Sequence, residues 1–103
     1  MSYDSFVVKV PGENKGDVFM FTLSTCIWCQ KTKELLKKLG VKYSYVDVDL
    51  VEGDARNEVV ADLVEKNPDS SFPTIVLNDT RVILGFQEAE IRDFVKENSG
   101  RSD

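Results

Sequence analysis

The sequence predicts an α/β domain in which a four-stranded mixed sheet carries helices on both faces, with an N-terminal segment that reads either as one extra strand or as a frayed tail. Three observations lead there. Short β-prone runs alternate with segments of helical periodicity in the order β-α-β-α-β-β-α. The first two strands are joined through a helix, which requires them to be parallel, whereas the last two flank a short polar turn and pair antiparallel. The only two cysteines stand at the first strand–helix junction. At 103 residues the chain is one domain, large enough to bury a core without disulfide staples.

The elements follow in order. In residues 1–16, Phe6, Val8 and Val10 alternate with Val7 and Lys9 as a half-buried strand would, and Pro11-Gly12-Glu13-Asn14-Lys15-Gly16 reads as a connector. The expected place for such a strand is beside the first core strand. Asp17 to Leu23 is that core strand, apolar throughout its middle. A helix then carries Leu35, Leu36 and Leu39 on one face and ends at Gly40, after lysines that suit a helix C-terminus. Val41 to Leu50 alternates and predicts the second strand. Gly53-Asp54 opens the next helix, with Val59, Val60, Leu63 and Val64 as its expected stripe, and Asn67-Pro68 stops it because the residue before proline resists helical geometry. Ile75-Val76-Leu77 and Arg81-Val82-Ile83-Leu84 form a hairpin across Asn78-Asp79. The last helix runs from about Gln87 to Glu97 with Ile91, Phe94 and Val95 inward, and 99–103 are expected to fray. The resulting division is an extension over 1–16, a domain over 17–98 and a short tail.

Composition narrows the function. The chain is 42% hydrophobic and 30% charged, with a net charge of -5 and no basic tract, which argues against nucleic acid or an anionic membrane as partner. The polar, acidic start Met1-Ser2-Tyr3-Asp4-Ser5 does not read as a signal peptide, and the longest apolar run is far short of a membrane span, so a cytoplasmic location is expected. In that compartment a close cysteine pair is catalytic or metal-binding rather than structural. Histidine is absent. That removes Cys/His zinc sites, Cys–His nucleophile pairs and Ser-His-Asp triads together. Two cysteines complete a four-ligand zinc site only by pairing chains or recruiting carboxylates, and no metal is expected.

The stretch Ser24-Thr25-Cys26-Ile27-Trp28-Cys29-Gln30-Lys31 carries the chemistry. It places Cys26 where a strand becomes a helix, and Cys29 about one turn on. Free backbone N–H groups and the positive end of the helix dipole stabilise an anion there, so a thiol at that position loses its proton more readily. A second thiol one turn later can attack a mixed disulfide formed on the first. The pair therefore reads as a dithiol/disulfide redox centre, with Cys29 shielded and slower to react.

This C-x-x-C, Phe72-Pro73-Thr74 before the third strand, and Gly85-Phe86 ahead of the last helix together resemble the glutaredoxin family of the thioredoxin superfamily, over roughly residues 17–98. The resemblance implies a thioredoxin-like fold and a dithiol–disulfide oxidoreductase acting on protein disulfides or mixed disulfides. It assigns Cys26 as nucleophile, Cys29 as resolving thiol and Pro73 as a cis-proline that turns the Phe72 backbone toward an extended substrate. Gly85 would allow close backbone approach. Thr25, Ile27, Trp28, Phe72, Pro73, Gly85 and Phe86 are the implied substrate contacts. Three departures stand out: Ile27-Trp28 where many relatives have Pro-Tyr, Leu23 where many have a lysine for a glutathione carboxylate, and one glycine in Gly85-Phe86-Gln87-Glu88 where many have two. These departures resemble glutaredoxin-like redoxins of strict anaerobes and the redoxins that serve ribonucleotide reductase. The implied electron donor is glutathione, another small thiol, or thioredoxin reductase, with no resident cofactor and a monomeric chain.

Other readings stay open at this level. Trp28 is either cover over the core or a partner contact, and Phe72 and Phe86 divide between packing and substrate groove. Lys31 and Lys33 read as solvated helix-face lysines that add a diffuse positive field favouring the thiolate, a second-order effect if they are exposed. Asp47 and Asp49 mark the outer end of a strand, with no catalytic role. Two alternatives from other classes are an Fe–S carrier, with Cys26 of two chains and two small thiols holding the cluster, and a non-catalytic interaction domain.

Overall fold

The computed structural model of the protein describes residues 3–99. In chain order the elements are β1 (Val7–Val10), β2 (Val18–Thr22), α1 (Ile27–Lys38), β3 (Tyr43–Asp47), α2 (Asp54–Lys66), β4 (Thr74–Leu77), β5 (Arg81–Leu84) and α3 (Glu88–Ser99), with short 3-10 turns at Asp4–Phe6 and Val48–Leu50. The strands form one five-stranded sheet in the order β1-β3-β2-β4-β5. β2 and β3 are parallel, with Phe19 opposite Ser44. β4 lies antiparallel to β2, with Phe21 opposite Thr74, and β5 antiparallel to β4.

β2 sits at the centre with both faces covered, which is why its sequence is a nearly continuous apolar run. Val18 and Met20 point toward α1 and α3, where they join Leu35, Leu36, Ile91 and Phe94. Phe21 points the other way, into a second core with Val46, Val48, Val51, Val59 and Leu63 beneath α2. In α3, Ile91 and Phe94 are buried and Val95 packs against the first core, as the periodicity predicts.

The N-terminal segment is a strand, but it pairs with β3 and not with β2: Val8 lies opposite Tyr45, antiparallel. The reason is that β2 is flanked on one side by β3 and on the other by β4, so the outer edge of β3 is the vacancy on that side of the sheet. The connector then crosses the start of β3, where Glu13 N–H donates to the Gly40 carbonyl at 2.8 Å and Lys42 N–H to the Glu13 carbonyl at 2.9 Å. The approach is close enough that a Cβ on Gly12 would lie 2.6 Å from Val41 and Lys42 backbone atoms. Tyr3 is also tied in, buried at 2% exposure with its hydroxyl donating to Asp62 of α2.

Two further expectations change. β3 ends at Asp47, its last partner being Thr22, and the chain turns over so that Val48 and Val51 enter the α2-side core while Leu50 faces solvent. In α2, only Val59 and Leu63 are buried, whereas Val60 and Val64 stay 39% and 42% exposed. A single helix lying on a sheet contacts it along one i, i+4 row, and the neighbouring positions sit about 100° round the axis. Helix α1 stops as predicted. Gly40 has φ +72°, its N–H donates to Lys37 and the next N–H, of Val41, to Leu36, the paired bonds that close a helix C-terminus. The expectation of fraying concerns, from Gly100 onward, positions outside the described residues.

Candidate active site

The loop between β2 and α1 is pinned from two directions. Cys26 N–H donates to the Leu23 carbonyl at 3.1 Å, closing a tight turn. Ser24 donates through both its N–H, at 2.8 Å, and its hydroxyl to the Asp49 carboxylate, in the turn after β3. These two bonds hold the Asp49 carboxyl below its ordinary range. Asp49 is therefore more than the end of a strand: it fastens the cysteine loop. Ser24 lies in the stretch that carries the chemistry, but its tie to Asp49 was not legible in the sequence.

Cys26 is the N-cap of α1, in extended backbone conformation, and its Sγ accepts the Cys29 N–H at 3.2 Å. A capping sulfur that receives a backbone donor at a helix N-terminus is placed to carry negative charge. Both cysteines are free thiols, Cys26 half-buried and Cys29 fully buried. Burial pushes the Cys29 thiol up to about 12, its hydrogen bond with Cys26 adds to this, and the Leu23 backbone and the Lys33 ammonium pull the other way. The arrangement exposes one sulfur and seals the other directly behind it.

The opposite rim comes from β4 and β5. Phe72–Pro73 is a cis peptide, as the resemblance implied. Because Thr74 pairs with Phe21, Pro73 lies beside the end of β2, next to the cysteine loop. Gly85 N–H donates to the Pro73 carbonyl at 2.8 Å, which brings the β5–α3 turn alongside. Gly85 has φ +78° and no atom within 4 Å of where a Cβ would stand, so the backbone conformation demands glycine while the space in front stays open.

Aromatic side chains span the gap. The Trp28 ring stacks on Phe86 with centroids 5.8 Å apart and planes at 23°, and Lys31 Nζ sits 5.9 Å from the Trp28 centroid. Trp28 is 52% exposed and Ile27 62%, beside an exposed Thr25. Phe86 does both jobs, packing partly against the α1/α3 core and presenting a face to Trp28, whereas Phe72 leans into the α2-side core. The structure thus brings Cys26, Cys29, Trp28, Pro73, Gly85 and Phe86 to one end of the sheet.

A buried polar network supports the proline loop and was not legible as functional. Asn67, 1% exposed, donates through its amide to Ser71 Oγ at 3.0 Å and Thr74 Oγ1 at 2.9 Å, and its Oδ1 accepts the Asp69 N–H at 3.1 Å. The Thr74 hydroxyl donates on to the Ser71 carbonyl at 2.7 Å. The sequence signal was present, since Asn67 ends α2, but there it counts only as a helix stop before proline. Lys33 is a correction of another kind. Its side chain is 19% exposed, not solvated, with Nζ 3.3 Å from Asp47 and 3.8 Å above the Tyr45 ring. The Thr22 hydroxyl, fully buried, donates to the same Asp47 carboxylate at 2.6 Å.

A cavity of about 410 Å³ lies elsewhere, lined by Phe19, Phe21, Tyr43 and Asp62 among others and reaching the N-terminal end of β2. None of the residues around the sulfur pair lines it. Among the described residues, no cluster of three or more His, Cys, Asp or Glu side chains could hold a metal ion, and no helix is long and apolar enough to cross a membrane.

A central parallel β-α-β unit, an antiparallel hairpin entered through a cis-proline, and a C-x-x-C at the first helix N-terminus together define a thioredoxin-like dithiol domain. Comparison with known proteins narrows the class. The Glutaredoxin family model matches residues 18–82. The chain belongs to the glutaredoxin family. It is 47% identical to a glutaredoxin of Methanosarcina mazei, with TM-score 0.79 and 86% of each chain covered. It is 45% identical to the methanoredoxin of Methanosarcina acetivorans, with TM-score 0.78 over 82% of this chain and 88% of that one. It is also 32% identical, over 75% of this chain and 95% of the other, to a glutaredoxin-like 8.6 kDa protein in a rubredoxin operon of Clostridium pasteurianum. Family and fold support a redox oxidoreductase role.

Proposed function

We propose that the protein is a cytoplasmic, monomeric dithiol–disulfide oxidoreductase that reduces protein disulfides, or mixed disulfides between a protein and a small thiol. The observation that carries this reading is the asymmetry of the sulfur pair: Cys26 half-exposed at the N-cap of α1, Cys29 sealed behind it with its N–H on the Cys26 sulfur. Cys26 as thiolate attacks a substrate disulfide and becomes a mixed disulfide, releasing the first substrate sulfur. Cys29 attacks Cys26, forming the Cys26–Cys29 disulfide and releasing the second substrate sulfur as a thiol. Two electrons from a donor reopen that bond.

The substrate lies across Ile27, Trp28 and Phe86 on one side and the Phe72–Pro73 backbone and Gly85 on the other, with Thr25 at the mouth. Exposed aromatic area beside the nucleophile favours protein substrates. Leu23 in place of a lysine and the single glycine at Gly85 leave glutathione without two of its usual carboxylate anchors. They favour another small thiol or thioredoxin reductase as electron donor, a reading that similarity to a methanoredoxin and to a protein of a rubredoxin operon supports.

The deciding experiment offers the oxidised protein three donors separately: glutathione with its reductase, coenzyme M, and thioredoxin reductase with NADPH. Reduction of the Cys26–Cys29 disulfide is followed in each case. Turnover with coenzyme M or the reductase, and slow turnover with glutathione, is the expected result. Fast turnover with glutathione overturns the donor assignment, and no reduction by any donor overturns the catalytic reading.

A further inference from the structure

Sulfur chemistry in the second step faces an obstacle that the first does not. Cys29 is fully buried, and burial disfavours its charged form, yet it must attack as a thiolate. Something inside the protein has to favour that charge at the moment it forms. Lys33 lies four residues beyond Cys29, one turn along the same face of α1. Its ammonium is drawn out of solvent and held in place by Asp47 at 3.3 Å and by the Tyr45 ring at 3.8 Å, and Asp47 is in turn fixed by the Thr22 hydroxyl at 2.6 Å. Tyr43 closes the enclosure, its hydroxyl directed at the Lys33 carbonyl at 3.4 Å.

We propose that Lys33, clamped by Asp47 and Tyr45, is a positioning residue for the resolving step, its enclosed ammonium offsetting the negative charge that Cys29 carries as it attacks Cys26. The inference rests on the oxidoreductase reading above. In that step the Cys29 Sγ–Cys26 Sγ bond forms and the bond from Cys26 to the substrate sulfur breaks. The Cys29 sulfur passes from thiol to disulfide level and the departing substrate sulfur from disulfide to thiol level, while Cys26, oxidised when the mixed disulfide formed, is unchanged. Over both steps the two cysteines give up two electrons. The proton that leaves Cys29 goes to the departing thiolate or, where that thiolate is weakly basic, to solvent. Lys33 gives up no proton. It acts through its charge, which at the low effective dielectric of a half-enclosed site is screened far less than on an open helix face. Cys29 is met by Cys26 and Lys33 from α1, and Lys33 by Asp47, Tyr45 and, at its carbonyl, Tyr43 from β3. Asp49 is tied to Ser24 of the cysteine loop, and β2 and β4 bring no charged residue. Burial raises the Tyr43 phenol, so it stays neutral and does not oppose the thiolate. Lys33 in turn pulls the Cys29 thiol down.

Both steps can be read in one trace. Reduced protein mixed with dithiobis-nitrobenzoate releases one coloured thiolate when Cys26 attacks and a second when Cys29 resolves. Lys33→Met, which keeps the length and removes the charge, should leave the first phase within about twofold and slow the second roughly three- to tenfold at pH 7. Its second-phase pH profile should be displaced upward by about half to one unit. Lys33→Arg should restore both. Lys33→Gln is measured alongside, so the result does not hang on one variant folding, and melting curves confirm native protein. A second phase unchanged in the charge-removing variants overturns the proposal, as does one slowed equally by Lys33→Arg, which would mark a packing effect. Failure of the oxidoreductase reading looks different, because then the unmutated protein itself releases no second thiolate.

Discussion

Removing the side chain of Asn67 tests how the proline rim is held in place. The amide makes two good donor bonds, to Ser71 Oγ and Thr74 Oγ1, and accepts one from Asp69 N–H, all with the residue 1% exposed. A net hydrogen bond contributes about 1 kcal/mol, and a buried group left without its partner costs about 1–3 kcal/mol. Asn67→Ala removes the amide's donations to Ser71 and Thr74 and the acceptor of the Asp69 N–H, and opens a small cavity, while Thr74 keeps its own donation to Ser71. The expected loss is about 3 kcal/mol, read as a lower urea midpoint with an unchanged slope, or a melting temperature down by roughly 12–20 °C for a domain of this size. Because the network sits just before Pro73, disulfide reduction should also slow in the folded variant. Asn67→Asp sharpens the test. It keeps an acceptor for Asp69 but buries a carboxylate facing two oxygens, so it should be at least as destabilised at neutral pH. A carboxyl so placed has a raised folded-state pKa, hence part of the loss should be recovered as pH falls through it. A loss below about 1 kcal/mol for Asn67→Ala, or no recovery of Asn67→Asp in acid, would refute the claim that this network locks the loop.

Other outcomes follow from the same geometry. Cys29→Ser should still be alkylated at Cys26 but stall as a mixed disulfide that mass spectrometry detects, whereas Cys26→Ser should be inert. The Cys29 thiol, raised to about 12 by burial, keeps its proton in the folded state after the unfolded chain has lost it. Its contribution to stability is therefore complete below about pH 9 and disappears as pH rises toward 12, so Cys29→Ser should flatten the alkaline fall in stability measured by urea melts. Trp28→Ala gives up an exposed stack on Phe86, which should reduce stability by no more than about 1 kcal/mol while raising KM for a protein disulfide severalfold, with kcat nearly unchanged.

The order of elements was legible because each is written in local periodicity and punctuation. The β2 run, the leucine face of α1, Gly40 as a helix end and Asn67-Pro68 as another are all properties of short windows. The redox pair was legible for the same reason: a C-x-x-C needs only its own strand–helix junction to place Cys26 at a helix N-cap and Cys29 one turn behind. Even Pro73 could be named from three motifs in the right sequence order.

What the tertiary structure decided were matters of pairing between distant residues. Nothing local tells β1 to add to β3; that follows from which sheet edge remains once β2 has taken both of its neighbours. Nothing local distinguishes Val59 from Val60, because only the direction of the sheet selects one row of α2. Asp49 fastening Ser24, Asn67 bracing Thr74, and Lys33 enclosed by Asp47 and Tyr45 are contacts between charges and amides that a sequence shows only as solvated polar residues. By itself the sequence determined where the sulfurs lie and what kind of element presents them. The fold decided how deeply Cys29 is buried and which distant side chains surround it, since burial and electrostatic environment are set by whichever chain segments pack together.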